Sequence, residues 1–142
     1  MFRTEGRAHG RKGAEIHWQL HRVQSFLAFR HDLRVFFERH GLSAELSDEL
    51  TLVTQEACNN ACGCCSDGAH FDVSVCRIGP TVVIEVADRG CGFDLSSVQA
   101  TWPPELLRGD GRGLFLMTQL TDQLEVVPRE RGTLVRMFKT VA

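Results

Sequence analysis

The sequence predicts an α+β fold, a two-layer sandwich in which helices cover one face of a mixed, mostly antiparallel sheet of four or five strands. Two kinds of pattern lead to this prediction. Short segments rich in β-branched residues show the alternation of half-buried strands, and glycine- or proline-containing turns join them in pairs. Longer segments repeat apolar residues every three or four positions, which is typical of amphipathic helices.

Size and composition indicate a single domain. The chain has 142 residues, of which 43% are hydrophobic and 24% charged, enough for one core. We expect residues 1–14, where arginines alternate with glycines, to form a flexible tail, and residues 15–142 to form the domain. A net charge of -2 excludes the overall basic field used in non-specific nucleic-acid binding. Because no segment has the length of a bilayer span or the pattern of a secretory signal, we expect a cytoplasmic protein without membrane contact.

The first strand and the first helix are predicted from a change in the spacing of apolar residues. Residues 15–20 alternate polar and apolar side chains, as a strand does. Beyond them the apolar residues recur at helical spacing, and His40-Gly41 marks the end of that helix. We predict that this stripe belongs to the core; its members are Val23, Phe26, Leu27, Leu33, Phe36 and Phe37.

The second helix carries two polar residues beside its apolar face. Ser43 can cap it, and it is predicted to run from Ala44 to about Cys62. Glu56 and Asn60 lie four residues apart and therefore project from the same edge, one turn from each other. Partly buried polar groups need partners, which a bound ligand or metal ion would supply. Ordinary surface residues are the alternative.

An acidic, glycine-rich turn follows the central hairpin. Residues 71–78 and 81–86 are predicted strands joined by Gly79-Pro80. The next motif, 88–94, begins with Asp88 and contains Gly90 and Gly92, a spacing that lets the backbone turn sharply and approach a ligand. The alternative is the ordinary end of a hairpin.

A second glycine-rich segment leads into a short predicted helix. Gly111, Arg112 and Gly113 precede the helical pattern that starts at Leu114, and the N–H groups at such a terminus suit phosphate. The spacing matches neither the Walker loop nor the dinucleotide fingerprint. Residues 95–110 before it are predicted to be a loop, either a functional lid or an irregular surface loop. Residues 123–127 and 132–139 form the last predicted hairpin.

Four cysteines fall within eight positions and raise the question of a metal site. A structural zinc site usually has two separated Cys-x-x-Cys pairs, whereas this is one cluster with His70 as a further candidate ligand. Small buried hydrophobic side chains are the alternative. The cluster consists of Cys58, Cys62, Cys64 and Cys65.

Taken in order, the three motifs resemble those of the GHKL ATPase superfamily. Glu56-x-x-x-Asn60, Asp88-x-Gly90-x-Gly92 and Gly111-x-Gly113-Leu114 are followed by Gly132-Thr133. In its small size the chain is most similar to the anti-sigma factor serine/threonine kinases of bacterial partner-switching systems. The likeness extends over residues 15–139 and implies the Bergerat-type ATP-binding fold.

The resemblance also implies roles for individual residues. Asn60 would coordinate the Mg²⁺ that bridges the phosphates of ATP, and Glu56 would be the general base. Asp88 would accept a hydrogen bond from the adenine amino group, with Thr133 assisting. The glycines of the two loops, together with Arg112 and Leu114, would surround the nucleotide; these glycines are Gly90, Gly92, Gly111 and Gly113.

The implied function is ATP-dependent phosphorylation of a serine or threonine on an anti-anti-sigma protein of the STAS type, together with sequestration of a sigma factor. Relatives commonly dimerise, so a homodimer is a further expectation. Where many relatives have histidine, this chain has Cys64. Two alternatives stay open: a non-catalytic ATP-binding module that switches partners, and a metal-binding regulator that uses the cysteine cluster.

Overall fold

A computed structural model of the chain describes residues 13–20, 26–64, 71–88, 110–130 and 132–141. Its five strands and three helices confirm the predicted α+β class. In chain order the elements are β1 (Gly13–Leu20), α1 (Phe26–Arg39), α2 (Ala44–Cys64), β2 (Phe71–Ile78), β3 (Thr81–Ala87), α3 (Asp110–Leu120), β4 (Gln123–Pro128) and β5 (Thr133–Thr140).

The strands form one sheet in the order β1-β2-β3-β5-β4. All four pairs of neighbouring strands in the described residues are antiparallel, so the expected parallel component was wrong. The reason lies in the order. β4 runs in the same direction as β3, but β5 lies between them, and β2 likewise separates β1 from β3. Strands of the same direction therefore never become neighbours.

The core lies between the helices and one face of this sheet. A row of buried residues crosses four strands, because Trp18 is opposite Val73, Val73 opposite Val86, and Val86 opposite Val135. The Trp18 ring meets the Phe29 ring of α1 edge-on, with 4.8 Å between centroids. α2 packs across β2 and β3, and α1 and α3 pack against α2.

The predicted apolar stripe of α1 is only partly buried. Leu33, Phe36 and Phe37 belong to the core, as expected. Leu27 was assigned wrongly, because 75% of its side chain is exposed. It lies on the outer side of α1, away from the sheet, and helical spacing alone does not distinguish a residue beside the buried stripe from one within it.

Local hydrogen bonds end α1 and begin α2 at the residues expected. Gly41 has a positive φ of 82°, and the N–H of Leu42 donates to the Phe37 carbonyl at 3.1 Å, which closes the last turn of α1. The N–H of Leu46 donates to the Ser43 hydroxyl at 3.2 Å, which caps α2. No helix in the described part of the chain is long and apolar enough to cross a bilayer.

Two elements begin or end beyond their predicted limits. β1 begins at Gly13, two residues inside the segment that we expected to be the tail, because Gly13 pairs with Ile78 and Ala14 with Arg77. α2 continues to Cys64, past the predicted end at Cys62. Residues 1–12 lie outside the described residues.

Candidate functional site

Asp88 and Thr133 meet at the end of the sheet's covered face. Asp88 follows the last residue of β3, and Thr133 is the first residue of β5. The main-chain N–H of Asp88 donates to the Thr133 carbonyl at 3.0 Å, which continues the β3–β5 pairing by one step. Both residues are 4% exposed. A buried acid and a buried hydroxyl therefore stand together where the apolar rows of the core end.

Gly132 makes this close approach possible. It has a positive φ of 86°, and a Cβ at this position would overlap the Asp88 main-chain carbonyl and lie 2.7 Å from Asp88 Oδ1. Only glycine fits such a conformation and such a contact without displacing its neighbour. The Gly132-Thr133 motif thus serves as a backbone platform against Asp88.

Glu56 and Asn60 occupy successive turns of α2. The buried residues Val53, Ala57 and Ala61 hold this part of the helix against the core, and Glu56, beside them, is half-buried. Asn60 is helical and lies one turn beyond Glu56; only its backbone is described. The predicted shared edge is therefore present in the backbone, while the direction of the Asn60 amide toward Asp88 stays a prediction.

The glycine-rich residues that were predicted to precede a helix lie within α3. α3 begins at Asp110, so Gly111, Arg112 and Gly113 lie in its first turn rather than in a loop before it. Leu114 follows them in the helix. Glycine is a poor helix former, which is why the sequence indicated a later start. Packing of α3 against α2 offsets that preference. The backbone of these four residues is described, and their roles stay predictions.

Gly90, Gly92 and most of the predicted lid, residues 95–109, lie outside the described residues. In the described residues, Asp88 lies beside Thr133 where β3 and β5 pair, and Glu56 and Asn60 lie on α2, which packs against β3. The described residues thus comprise a buried acid beside a glycine platform and a half-buried carboxylate on α2.

A family model described as the histidine kinase-like ATPase domain matches residues 21–139. The chain belongs to this ATPase domain family. The match covers all the motifs on which the resemblance rested and confirms it, and membership implies that the domain binds ATP.

The chain is also similar to a curated protein and to a solved structure. The chain is 28% identical over 114 residues to the serine-protein kinase RsbW of Oceanobacillus iheyensis, covering 73% of this chain and 72% of the relative. The crystal structure of the SiaB-SiaC complex from Pseudomonas aeruginosa contains a chain with a TM-score of 0.58 and 15% identity, covering 88% of both chains. At that identity the likeness supports the fold alone.

The opposite, open face of the ATPase domain's sheet carries an ion network that sequence analysis missed. Arg136 Nη2 lies 3.1 Å from Glu85 Oε2, and Arg136 Nη1 lies 3.1 Å from Glu125 Oε2. The hydrogen bonds to Glu85 raise the pKa of the Arg136 guanidinium above its ordinary value. The three residues belong to different strands. Only the fact that each points away from the core in its strand could have predicted the network from the sequence.

The cysteines that the structure describes lie in different environments. Cys58 is fully buried in the core, as the small-hydrophobe alternative predicts, and Cys76 is half-buried on the open face. Cys62 and Cys64 are helical, and Cys65 lies outside the described residues. Within the described part of the ATPase domain, no three His, Cys, Asp or Glu side chains are grouped closely enough to hold a metal ion.

Proposed function

We propose that this ATPase domain is an ATP-dependent protein serine/threonine kinase that acts as an anti-sigma regulatory factor and phosphorylates an anti-anti-sigma protein. One observation carries the nucleotide part of the proposal: buried Asp88 lies against Gly132 and Thr133 at the end of the covered face. The family match supports ATP as the ligand. The name of the curated relative, a serine-protein kinase, supports the transfer of phosphate to a serine.

In this proposal Asp88 selects adenine. A carboxylate accepts hydrogen bonds only, so it is complementary to the exocyclic amino group of the base. Thr133, whose main chain is fixed to Asp88 through the 3.0 Å hydrogen bond, adds a hydroxyl beside the same position. Burial excludes competing water and makes the contact selective. Gly90 and Gly92, outside the described residues, are proposed to bring backbone close to the nucleotide.

The phosphates are assigned to the start of α3. The first turn of a helix has N–H groups without partners inside the helix, and the positive end of its dipole favours anions. Gly111 and Gly113 allow close backbone approach there, Arg112 adds a positive charge, and Leu114 continues the helix.

Asn60 fits the role of a magnesium ligand by its chemistry. An amide oxygen is a hard donor of the kind that Mg²⁺ accepts, and Asn60 lies one turn from Glu56 on α2. Mg²⁺, when bound with ATP, would neutralise charge on the phosphates during transfer.

Glu56 is proposed to be the general base. Its carboxylate would accept the proton of the partner's serine or threonine hydroxyl while the hydroxyl oxygen forms the new bond to the γ-phosphorus and ADP leaves. We further propose that the partner is an anti-anti-sigma protein of the STAS type, that a sigma factor is sequestered, and that the protein works in the cytoplasm as a homodimer.

Two substitutions separate binding from catalysis. Asp88→Asn should weaken ATP binding by roughly ten- to a hundredfold, because it removes a charged acceptor. Glu56→Gln should leave ATP affinity within about threefold but lower phosphate transfer by roughly a hundredfold or more. Calorimetry with magnesium ATP and radiolabel transfer to anti-anti-sigma proteins encoded nearby measure the two effects.

Each result has a defined meaning. Undiminished ATP binding by Asp88→Asn would contradict the adenine assignment. Equal label transfer by Glu56→Gln and the unmodified protein would contradict the general base. ATP binding without any transfer in the unmodified protein would identify the non-catalytic module instead.

A further inference from the structure

An open groove runs between α1 and α2 on the side away from the sheet. Its cavity of about 400 Å³ is lined by Leu27, Arg30, His31, Arg34, Asp48, Thr51, Leu52 and Gln55. Two contacts join the helices within the groove: Arg34 Nη2 lies 2.5 Å from Asp48 Oδ1, and Arg30 Nη1 donates to Gln55 Oε1 at 3.3 Å. The groove is therefore bordered by side chains that connect its two walls.

Two large aliphatic side chains are exposed in this groove. Leu27 of α1 is 75% exposed and Leu52 of α2 is 40% exposed, the two highest values for large hydrophobic residues in the described part of the chain. Leu27 and Leu52 face the same cavity from opposite walls. Scattered exposed leucines need no explanation, but a pair in one concave site is a candidate interaction surface.

The charge of the groove is positive although the chain as a whole is not. Arg30 and Arg34 line it against one acid, Asp48, whereas the net charge of the chain is -2. Arg34 is already paired with Asp48 and, at 3.6 Å, with Glu38. Arg30 forms no ion pair with any described residue, and its partner Gln55 is neutral. Among the described residues, the charge of Arg30 is therefore not balanced by an acid, and it lies beside two exposed leucines.

These observations discriminate among possible occupants. Residues 1–12 of the chain itself carry Arg3, Arg7, Arg11 and Lys12 against one acid, Glu5, so the positive groove would repel them. A second copy placed symmetrically would bring the same basic residues face to face, which is unfavourable. A segment of opposite charge with aliphatic side chains satisfies both the leucines and Arg30.

We propose that the α1–α2 groove binds an acidic, amphipathic helix of a partner protein. Such a helix would place aliphatic residues between Leu27 and Leu52 and carboxylates against Arg30, which is the helix-in-groove mode of recognition. None of the residues that line the groove is among those proposed to bind the nucleotide. The proposal therefore predicts that the helix binds without ATP.

Two designed helical peptides of about 16 residues test the proposal with the full chain. Both have the same leucine stripe; one has glutamates beside it and the other lysines. Fluorescence anisotropy should show the glutamate peptide binding at least about tenfold more tightly, with a loss of affinity as salt increases. Leu27→Ser and Leu52→Ser should each weaken binding about tenfold. Arg30→Glu should weaken the glutamate peptide and strengthen the lysine peptide.

The controls are residues of similar exposure elsewhere. Val127→Ser, at a site that is 37% exposed on β4, and Arg129→Glu should leave peptide binding unchanged. Asp88→Asn should also retain it, which separates this proposal from the proposed kinase function. Equal binding of the two peptides, or groove variants no weaker than Val127→Ser, would overturn the proposal. So would self-association in sedimentation that Leu27→Ser abolishes, since the occupant would then be a second copy.

Discussion

The two faces of the sheet are built from the same alternation but handle polar groups differently. On the covered face, apolar rows run across the strands and end at buried Asp88 and Thr133. On the open face, Arg136 is shared between Glu85 and Glu125, and all three side chains keep about a quarter to a third of their surface in solvent. The open face thus has many half-exposed polar groups, whereas the covered face has few polar groups and they are buried.

This difference predicts where substitutions matter. When a contact of a buried polar group or large ring is removed, water cannot replace it. The substitution therefore lowers the free energy of unfolding by the full energy of that contact. A half-exposed ion pair is screened by water and salt, so its loss costs little. The comparison therefore places the main contributions to stability on the covered face, where we also propose that the nucleotide is recognised.

The largest contrast is expected between two neighbours in β1. Trp18 is fully buried against Phe29, whereas the adjacent His17 lies on the open face, 3.6 Å from Asp72. Trp18→Ala should lower the free energy of unfolding by about 3–5 kcal/mol, and His17→Ala by no more than about 0.5 kcal/mol. Urea unfolding followed by circular dichroism measures both. Similar losses for the two variants would contradict the contrast between faces.

A smaller loss is expected at the glycine beside Asp88. Gly132→Ala should destabilise the fold by about 2 kcal/mol or more and weaken ATP binding, because the new methyl group displaces Asp88. Gly79→Ala is the matched control. Gly79 also has a positive φ, 57°, but nothing lies within 4 Å of an added Cβ. The control should cost only about 1 kcal/mol of backbone strain and leave ATP affinity unchanged. Equal effects of the two variants on ATP affinity would contradict the platform role of Gly132.

The smallest effect is expected on the open face. Arg136→Met keeps much of the aliphatic stem but removes the charge shared by Glu85 and Glu125. The loss should be about 1 kcal/mol or less, and it should shrink as salt is added. A double-mutant cycle with Glu85→Gln measures the coupling, expected at about 0.5–1 kcal/mol. A loss as large as that of Trp18→Ala would show that the open face is buried in the folded protein.

Local patterns predicted most of the elements, since helical and strand periods are properties of neighbouring residues. The hairpin around Gly79-Pro80, the end of α1 at Gly41 and the Ser43 cap all agree with the structure. The early start of α3 was not predictable, because contacts with α2 outweigh the poor helix propensity of Gly111 and Gly113.

Long-range features were harder to predict. The strand order is set by packing between distant segments, so the purely antiparallel pairing could not be read from any one segment. The Arg136 network joins residues from three strands and has no local signature. At the candidate site, the structure places Thr133 beside Asp88, while the adenine-binding role of these two residues and the catalytic and metal roles of Glu56 and Asn60 stay predictions.

The position of β1 has a consequence for biosynthesis. This strand precedes both α1 and α2 in the chain, yet its hydrogen-bonding partner, β2, follows them. A nascent chain leaving the ribosome must therefore carry β1 unpaired until both helices and β2 have been made, and the sheet gains its outermost strand only through a distant contact. The synthesis of β2 therefore sets the earliest point at which the first strand can join the sheet.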